Sequence, residues 1–356
     1  MNITFMIGNG FDLNLGLNTR YTDFINEYKR EMPFDSESVR LFKRDLRKDS
    51  EQYNCWANAE LAMGQYSKTM MERYGKNAAE VYADLHDDFC RELSTYLNKQ
   101  QEKVAGLQLK DQFINSLSKI AHGFSSTQKS QIETCVSKEK TYDYSFIVFN
   151  YTTIIDDLLT GEKKIGEHAY VYPNGKKVSL DESIREMIHV HGTITDAMVL
   201  GVNDITQFAS PEIFDEQPNE YKSSFIKREF NAMVEEGTHE KTLDILSRSA
   251  LIYIYGMSLG ETDKIWWQEI YNLMKRNRAL RIIIQSVNAP SARLTPRPLA
   301  TFTRMLRQRL IGYSLENGQE ADEQILSRIH ITGFDIFEDL QGVADPIVSL
   351  NKIAVF

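Results

Sequence analysis

The sequence predicts an α/β fold, a parallel sheet flanked by helices, with a large helical insertion after the first strand. Three observations predict it. Five short runs rich in Ile, Val, Phe and Tyr lack polar alternation, as strands covered on both faces do. Segments with helical spacing lie between most of these runs, and strand–helix–strand alternation builds parallel sheets. Between the first run and the second, residues 31–140 offer helical spacing and no five-residue β-branched core run.

The first strand is "NITFMIG" (2–8). After it "YTDFINEYKR", "SVRLFKRDLRKD", "EQYNCWANAELAMGQYSKTMMERYG" and "AAEVYADLHDDFCRELSTYLNKQ" read as helices. "SFIVFN" (145–150) is the second strand. "YPNGKK" (172–177), with its Asn-Gly turn signal between "HAYVY" and "VSL", predicts a surface hairpin. "MIHVHG" (187–192), "ALIYIYG" (250–256) and "LRIIIQS" (280–286) supply three more strands, and "RIHITGF" (328–334) a weaker sixth. "DKIWWQEIYNLMKRN" (263–277) reads as a helix. So does "SARLTPRPLATFTRMLRQRL" (291–310), whose start Pro296 and Pro298 should delay until after them. Residues 1–30 and 141–356 are therefore assigned to the sheet domain and 31–140 to a helical lobe.

Composition bounds the function. At 356 residues, one large domain with an insertion, or two domains, is expected. The 42% hydrophobic and 26% charged residues describe a water-soluble globular chain, and no apolar run approaches the roughly 18 residues of a membrane span. The first apolar run lasts only from Ile3 to Ile7 with no basic stretch ahead of it, so a cytoplasmic location is expected. Cys55, Cys90 and Cys135 are odd in number, far apart and without a CxxC pair. They read as buried thiols and not as a disulfide framework or zinc site. A net charge of -9 gives no overall pull toward nucleic acid, and "KRNRALR" (275–281) reads as the end of an exposed helix.

Ligands bind a parallel sheet at the carboxyl ends of its strands. There the chain places Gly8, Asn9, Gly10 and Asp12 after the first strand, Asn150 and Tyr151 after the second, and His191 and Gly192 after the third. Gly256 and Ser258 follow the fourth, and Ser286 and Asn288 the fifth. Turns use such residues anyway, but five such endings in one sheet favour a shared pocket. The opening loop fits no ordinary signature: a GxGxxG fingerprint needs glycine where Leu13 stands, and GxxxxGK[ST] has no match. Gly8 and Gly10 nevertheless let the backbone approach a pyrophosphate. Gly16 adds a second permissive point before a helix that Asn18 or Thr19 could cap. A nucleotide cradle and a plain strand-to-helix turn both remain open on this pattern.

His191, at the end of an apolar strand, suits a general base or a hydrogen-bonded structural histidine. His189 and His191, two apart, point to one strand face as metal ligands could, but no acidic ligand pattern accompanies them. Glu60 shares a helix face with Trp56 and either reaches the pocket from the lobe or is a solvated surface residue. Trp266 and Trp267 read as core or interface.

Taken together, "IGNGFDLNLGLNTRYTDF", "WANAE", "FNYTTIIDDLL", "HVHG", "LGVND" and "YGMSLGETD" resemble, in order and from residue 5 to 263, the abortive-infection protein H (AbiH) family of bacterial phage-defence proteins. More distantly the series is similar to the sirtuin-type NAD-binding domain. The shared features are a glycine loop followed by "GL", an asparagine after the next core strand, a histidine before glycine, and a later "G-x-S-L" with an aspartate. The resemblance implies a Rossmann-like, sirtuin-type sheet that binds NAD. It implies catalytic roles for His191, Asn150 and Asp12, cofactor contacts from Gly8, Asn9, Gly10, Gly16, Tyr151, Gly256, Ser258 and Asp263, and a lobe contribution from Glu60. Asn9 replaces the usual alanine of the sirtuin loop, Asp12 replaces its serine, "NYTT" lacks the following aspartate, and the zinc-binding cysteines are absent.

Those departures favour hydrolysis of NAD at the nicotinamide–ribose bond over deacylation, with no metal expected. The alternatives are a metal-dependent nuclease using His189, His191 and carboxylates such as Asp204, a non-catalytic nucleotide sensor, and an NAD-dependent deacylase. Expected partners are NAD or a related nucleotide, a phage-derived trigger or accessory defence protein, and further copies of the chain in a homo-oligomer. Neither membrane nor nucleic acid is expected.

Overall fold

A computed structural model describes residues 1–52, 58–135, 140–196, 198–234, 237–290, 296–315 and 321–345. The apolar runs form β1 (Asn2–Ile7), β2 (Tyr142–Val148), β5 (Ser249–Tyr255), β6 (Arg281–Gln285) and β7 (Ile329–Thr332). With β3 (Lys164–Val171) and β4 (Lys177–His189) they make one seven-stranded sheet in the order β3-β4-β2-β1-β5-β6-β7. Every pairing is parallel except the antiparallel edge pair β3–β4. This is an α/β architecture compatible with a Rossmann-like fold.

Both faces of β1, β2, β5, β6 and β7 are buried, which is why these strands show no polar alternation. Ile3, Phe5 and Ile7 enter one core with Phe146 and Tyr253, while Met6 enters the other with Ile147, Ile252 and Ile254. Burying each of these side chains contributes roughly 1.5–3 kcal/mol. Phe5 also stacks on Phe146 with ring centroids 5.5 Å apart. On the second face Trp267 is fully buried and its indole N–H donates to the Gly260 carbonyl at 3.0 Å, so both tryptophans of that helix serve the core.

Three boundaries differ from the sequence reading. The Asn-Gly turn does form a hairpin, with the Tyr172 amide donating to the Lys176 carbonyl at 2.9 Å, but its second strand runs on for 13 residues into the predicted 187–192 strand. β2 pairs only from Glu182 onward, so the early half of β4 is held by β3 alone and keeps an exposed, alternating pattern. The helix Pro296–Gly312 starts at Pro296, with Pro298 in its first turn. Proline is tolerated there because those amides have no intrahelical partner. The helix Tyr21–Tyr28 is capped by neither Asn18 nor Thr19: the Arg20 amide donates to Asp23, three residues on, at 3.2 Å.

Among the described residues of 31–140 there are helices and no strand, and these helices divide between two cores. Glu37–Gln52, Ala59–Tyr74 and Ala78–Gln101 bury Phe42, Met63, Tyr82 and Phe89 against Leu200, Phe208, Phe214 and Phe225 from beyond β4. Lys110–Leu117 and Ser126–Cys135 instead pack Phe113, Leu117 and Ile132 on the sheet. Cys90 is half-buried, its thiol 3.7 Å from His86 Nδ1, and not sealed in a core. Cys55 and Trp56 lie outside the described residues. No helix among the described residues is long and apolar enough to cross a membrane.

Candidate functional site: a crevice at the carboxyl ends of the strands

From β1 the chain builds outward through β2 and β4, then returns to lay β5 on the other side of β1. Where strand order reverses, loops from the two halves part and leave a crevice. A cavity of about 720 Å³ lies there, lined by loops from five strand ends: Gly8–Asp12, Asn150–Thr152, His191, Gly256–Ser258 and Ser286–Asn288. Tyr21 and Glu60 reach it from the helices.

His191 follows β4 and is buried. Its Nε2 lies 3.1 Å from Asp263 Oδ1 and 3.5 Å from Lys227 Nζ. A carboxylate only accepts and an ammonium only donates, and the shorter contact assigns the Nε2 proton to the Asp263 bond. The lone pair then sits on Nδ1, which is buried with no partner. Burial alone would raise the Asp263 carboxyl, but the Lys227 charge and the His191 hydrogen bond outweigh it and hold it below the ordinary range. Lys227 also donates to Glu60 Oε2 at 2.7 Å, and both side chains are under a tenth exposed. Glu60 Oε1 accepts from Tyr21 (3.2 Å) and Tyr151 (3.1 Å), whose hydroxyls are pushed well above their usual range by burial first and by the Glu60 charge as well.

Asn150 is fixed from below. Its Nδ2 donates to Asp12 Oδ1 at 2.7 Å, and Thr152 Oγ1 donates to Asp12 Oδ2 at 2.8 Å. Burial lifts the Asp12 carboxyl to about 6, against the lowering effect of these two bonds and of nearby His189. Because the amide N–H points at a carboxylate, Asn150 Oδ1 is the atom left over, and it is buried without a partner. The crevice thus holds two unanswered acceptors, His191 Nδ1 and Asn150 Oδ1.

The glycine loop is bonded to the end of β5. The Gly8 amide donates to the Tyr255 carbonyl and the Gly10 amide to the Gly256 carbonyl, both at 2.9 Å, so neither is free to hold a phosphate. Asn9 exchanges hydrogen bonds with Thr19, its Oδ1 accepting the threonine hydroxyl at 2.6 Å.

A model of the family described as "Bacteriophage abortive infection AbiH" matches residues 4–285, most of the chain. The chain belongs to the AbiH family. No curated protein matches it.

On this AbiH chain the fold brings together Gly8, Asn9, Gly10, Asp12, Glu60, Asn150, Tyr151, His191, Gly256, Ser258 and Asp263 around one crevice. Gly16 is not among them: at φ +89° it packs on the Gly342 backbone, where the carboxyl-terminal segment bonds back to Asn14 and Leu15. His189 and His191 do not converge as metal ligands. His189 sits with Nδ1 3.2 Å from the Asn150 carbonyl and Nε2 2.8 Å from Asp156, and no cluster of three His, Cys, Asp or Glu able to hold a metal occurs among the described residues. Asp204 pairs with Lys264 at 3.2 Å and does not line the crevice. Sequence reasoning missed Lys227, whose only signal is a lysine directly after the apolar "FI" of residues 225–226, and Tyr21, hidden in an ordinary amphipathic helix.

Proposed function

We propose that the chain is an abortive-infection effector that binds NAD in this crevice and hydrolyses it at the nicotinamide–ribose bond. The observation that carries this reading is the pair of buried, unpartnered acceptors, His191 Nδ1 and Asn150 Oδ1. Buried polar atoms without partners call for a ligand, and two acceptors call for one that brings donors, as ribose hydroxyls and an attacking water do. The cavity volume falls in the usual range for cofactor sites. The motif resemblance to sirtuin-type domains supports the same ligand.

In this reaction the C1′–N bond breaks and its electron pair leaves with nicotinamide as a neutral base, so no acid is needed. The oxygen of a water bonds C1′ and its proton passes to His191 Nδ1. Asn150 Oδ1 orients that water or a ribose hydroxyl. Asp12, Glu60 and Asp263 make the lining acidic, which favours the developing oxocarbenium charge. Arg20 is the one lysine or arginine among the described lining residues and suits the pyrophosphate, with Ser258, Ser286 and Asn288 as neutral polar contacts.

The test is to incubate purified protein with NAD, with and without phage-infected cell extract, and to follow free nicotinamide alongside calorimetric binding. His191→Ala is expected to slow release by roughly 10²–10⁴-fold with binding retained. Binding without release under both conditions replaces hydrolysis by sensing, and no binding overturns the reading.

A further inference from the structure

We propose that Lys227 is the positioning residue for His191: it balances Asp263, which touches the ring, and Glu60, which Lys227 joins to it, so that the imidazole stays neutral with its proton on Nε2 and its lone pair on Nδ1. This rests on His191 being the base of the proposed reaction. The groups facing the ring come from every element packed on it. They are Asp263 from the turn Glu261–Asp263, Lys227 from the start of the helix Lys227–Val234, and Tyr151 and Phe149 from the loop after β2, while Glu60, in the first turn of Ala59–Tyr74, is joined to the ring through Lys227. Tyr21 closes the set through Glu60 and Tyr151, and Asp12 stands behind Asn150.

Glu60, Asp263 and Lys227 together carry one net negative charge. Removing the lysine takes a positive charge from beside the ring and leaves Asp263 on it and Glu60 in the same cluster unbalanced, an arrangement that favours the imidazolium, which has no lone pair to accept a proton. Lys227 is held by elements outside the sheet. Its amide donates to the Val202 carbonyl at 2.9 Å, and its neighbours Phe225 and Ile226 are buried in the helical core with Phe214 and Tyr82. It does not line the crevice, so it acts on the reaction through His191 and Asp263. The helical core thereby sets the charge state of a group on the sheet.

The test reads the His191 ring directly, by ¹⁵N NMR of the labelled full-length protein at pH 7, with the signals assigned by their loss in His191→Gln. Wild type should show a neutral ring protonated on Nε2. Lys227→Met should show both nitrogens protonated and a kcat lower by about tenfold or more with KM little changed. Lys227→Arg should keep the wild-type signals. Glu60→Gln/Lys227→Met, which restores the net charge, should return the neutral ring and much of kcat, an effect that a merely structural lysine would not give. Should Lys227→Met fail to fold, Lys227→Gln keeps a hydrogen bond to Glu60 without the charge and should give the doubly protonated ring. A wild-type proton on Nδ1, or an unchanged ring in the uncharged variants, overturns the proposal. The ring signals report this even if wild type releases no nicotinamide, which would count against the hydrolase reading alone.

Discussion

Gly10 and Gly256 meet backbone to backbone at the switch in strand order. A Cβ built on Gly10 would lie 2.3 Å from Gly256 Cα and 2.9 Å from its carbonyl oxygen, and the Gly10 amide donates to that same carbonyl. The loop glycines therefore answer a packing need between the ends of β1 and β5, since rigid backbone cannot make room. Gly10→Val is expected to lower the melting temperature sharply or prevent soluble folding. Gly161→Ala, with nothing within 4 Å of its Cβ position, should cost only the strain of its positive φ. Equal melting of wild type and Gly10→Val would sink this account.

Arg20 offers a cleaner probe of ligand binding. It lines the crevice, its side chain is largely exposed, and its nearest partner is Asp23 at 3.8 Å, a contact that holds little structure. Arg20→Ala should weaken NAD binding in calorimetry while leaving the melting curve unmoved. Unchanged affinity would remove Arg20 from the phosphate role.

Asp12 predicts a pH signature. Its folded carboxyl, at about 6, lies above the ordinary 3.8, so proton binding favours the folded state. That contribution is complete below pH 3.8 and is lost as pH rises through about 6. Asp12→Asn can keep both hydrogen bonds, because the Thr152 hydroxyl can accept as well as donate. It should be more stable than wild type at pH 8, by at most about 3 kcal/mol, and the gap should close as pH falls to 4. Urea melts at the two pH values decide it, and a gap that widened on acidification would count against the assignment.

Asn150 is both a site residue and a strut. Asn150→Ala removes a donor to a buried carboxylate and should cost roughly 1–3 kcal/mol, more at pH 8 than at pH 5 because Asp12 is then charged. Its activity must be read beside its melt, and so must that of His191→Ala, which removes the Nε2 donor to the Asp263 carboxylate.

Chelation separates the hydrolase from a metal-dependent nuclease. His189 and His191 face different carboxylates, so EDTA is expected to leave both the melting temperature and NAD cleavage unchanged. Loss of activity restored by a divalent cation would favour the nuclease.

The sequence by itself determined the buried strands of the sheet and the edge at which the crevice opens. A strand buried on both faces must be apolar at every position, so "NITFMIG", "SFIVFN" and "ALIYIYG" were legible, and their polar endings marked where a crevice would open. The hairpin of β3 and β4 was legible from its Asn-Gly turn, but its extent and its place in the sheet were not, because an edge pair reaching past its neighbour keeps polar residues. Only the tertiary structure decided what the site residues do. Gly10 is a glycine because Gly256 lies against it, and Gly16 serves a contact with Gly342 that comes 326 positions later in the numbering of the chain. Glu60 and His191 became one cluster through Lys227, a residue with no local pattern of its own. Periodicity is a local property set by which face is covered, whereas hydrogen-bond partners, desolvation and charge balance depend on groups that only folding brings within a few ångströms.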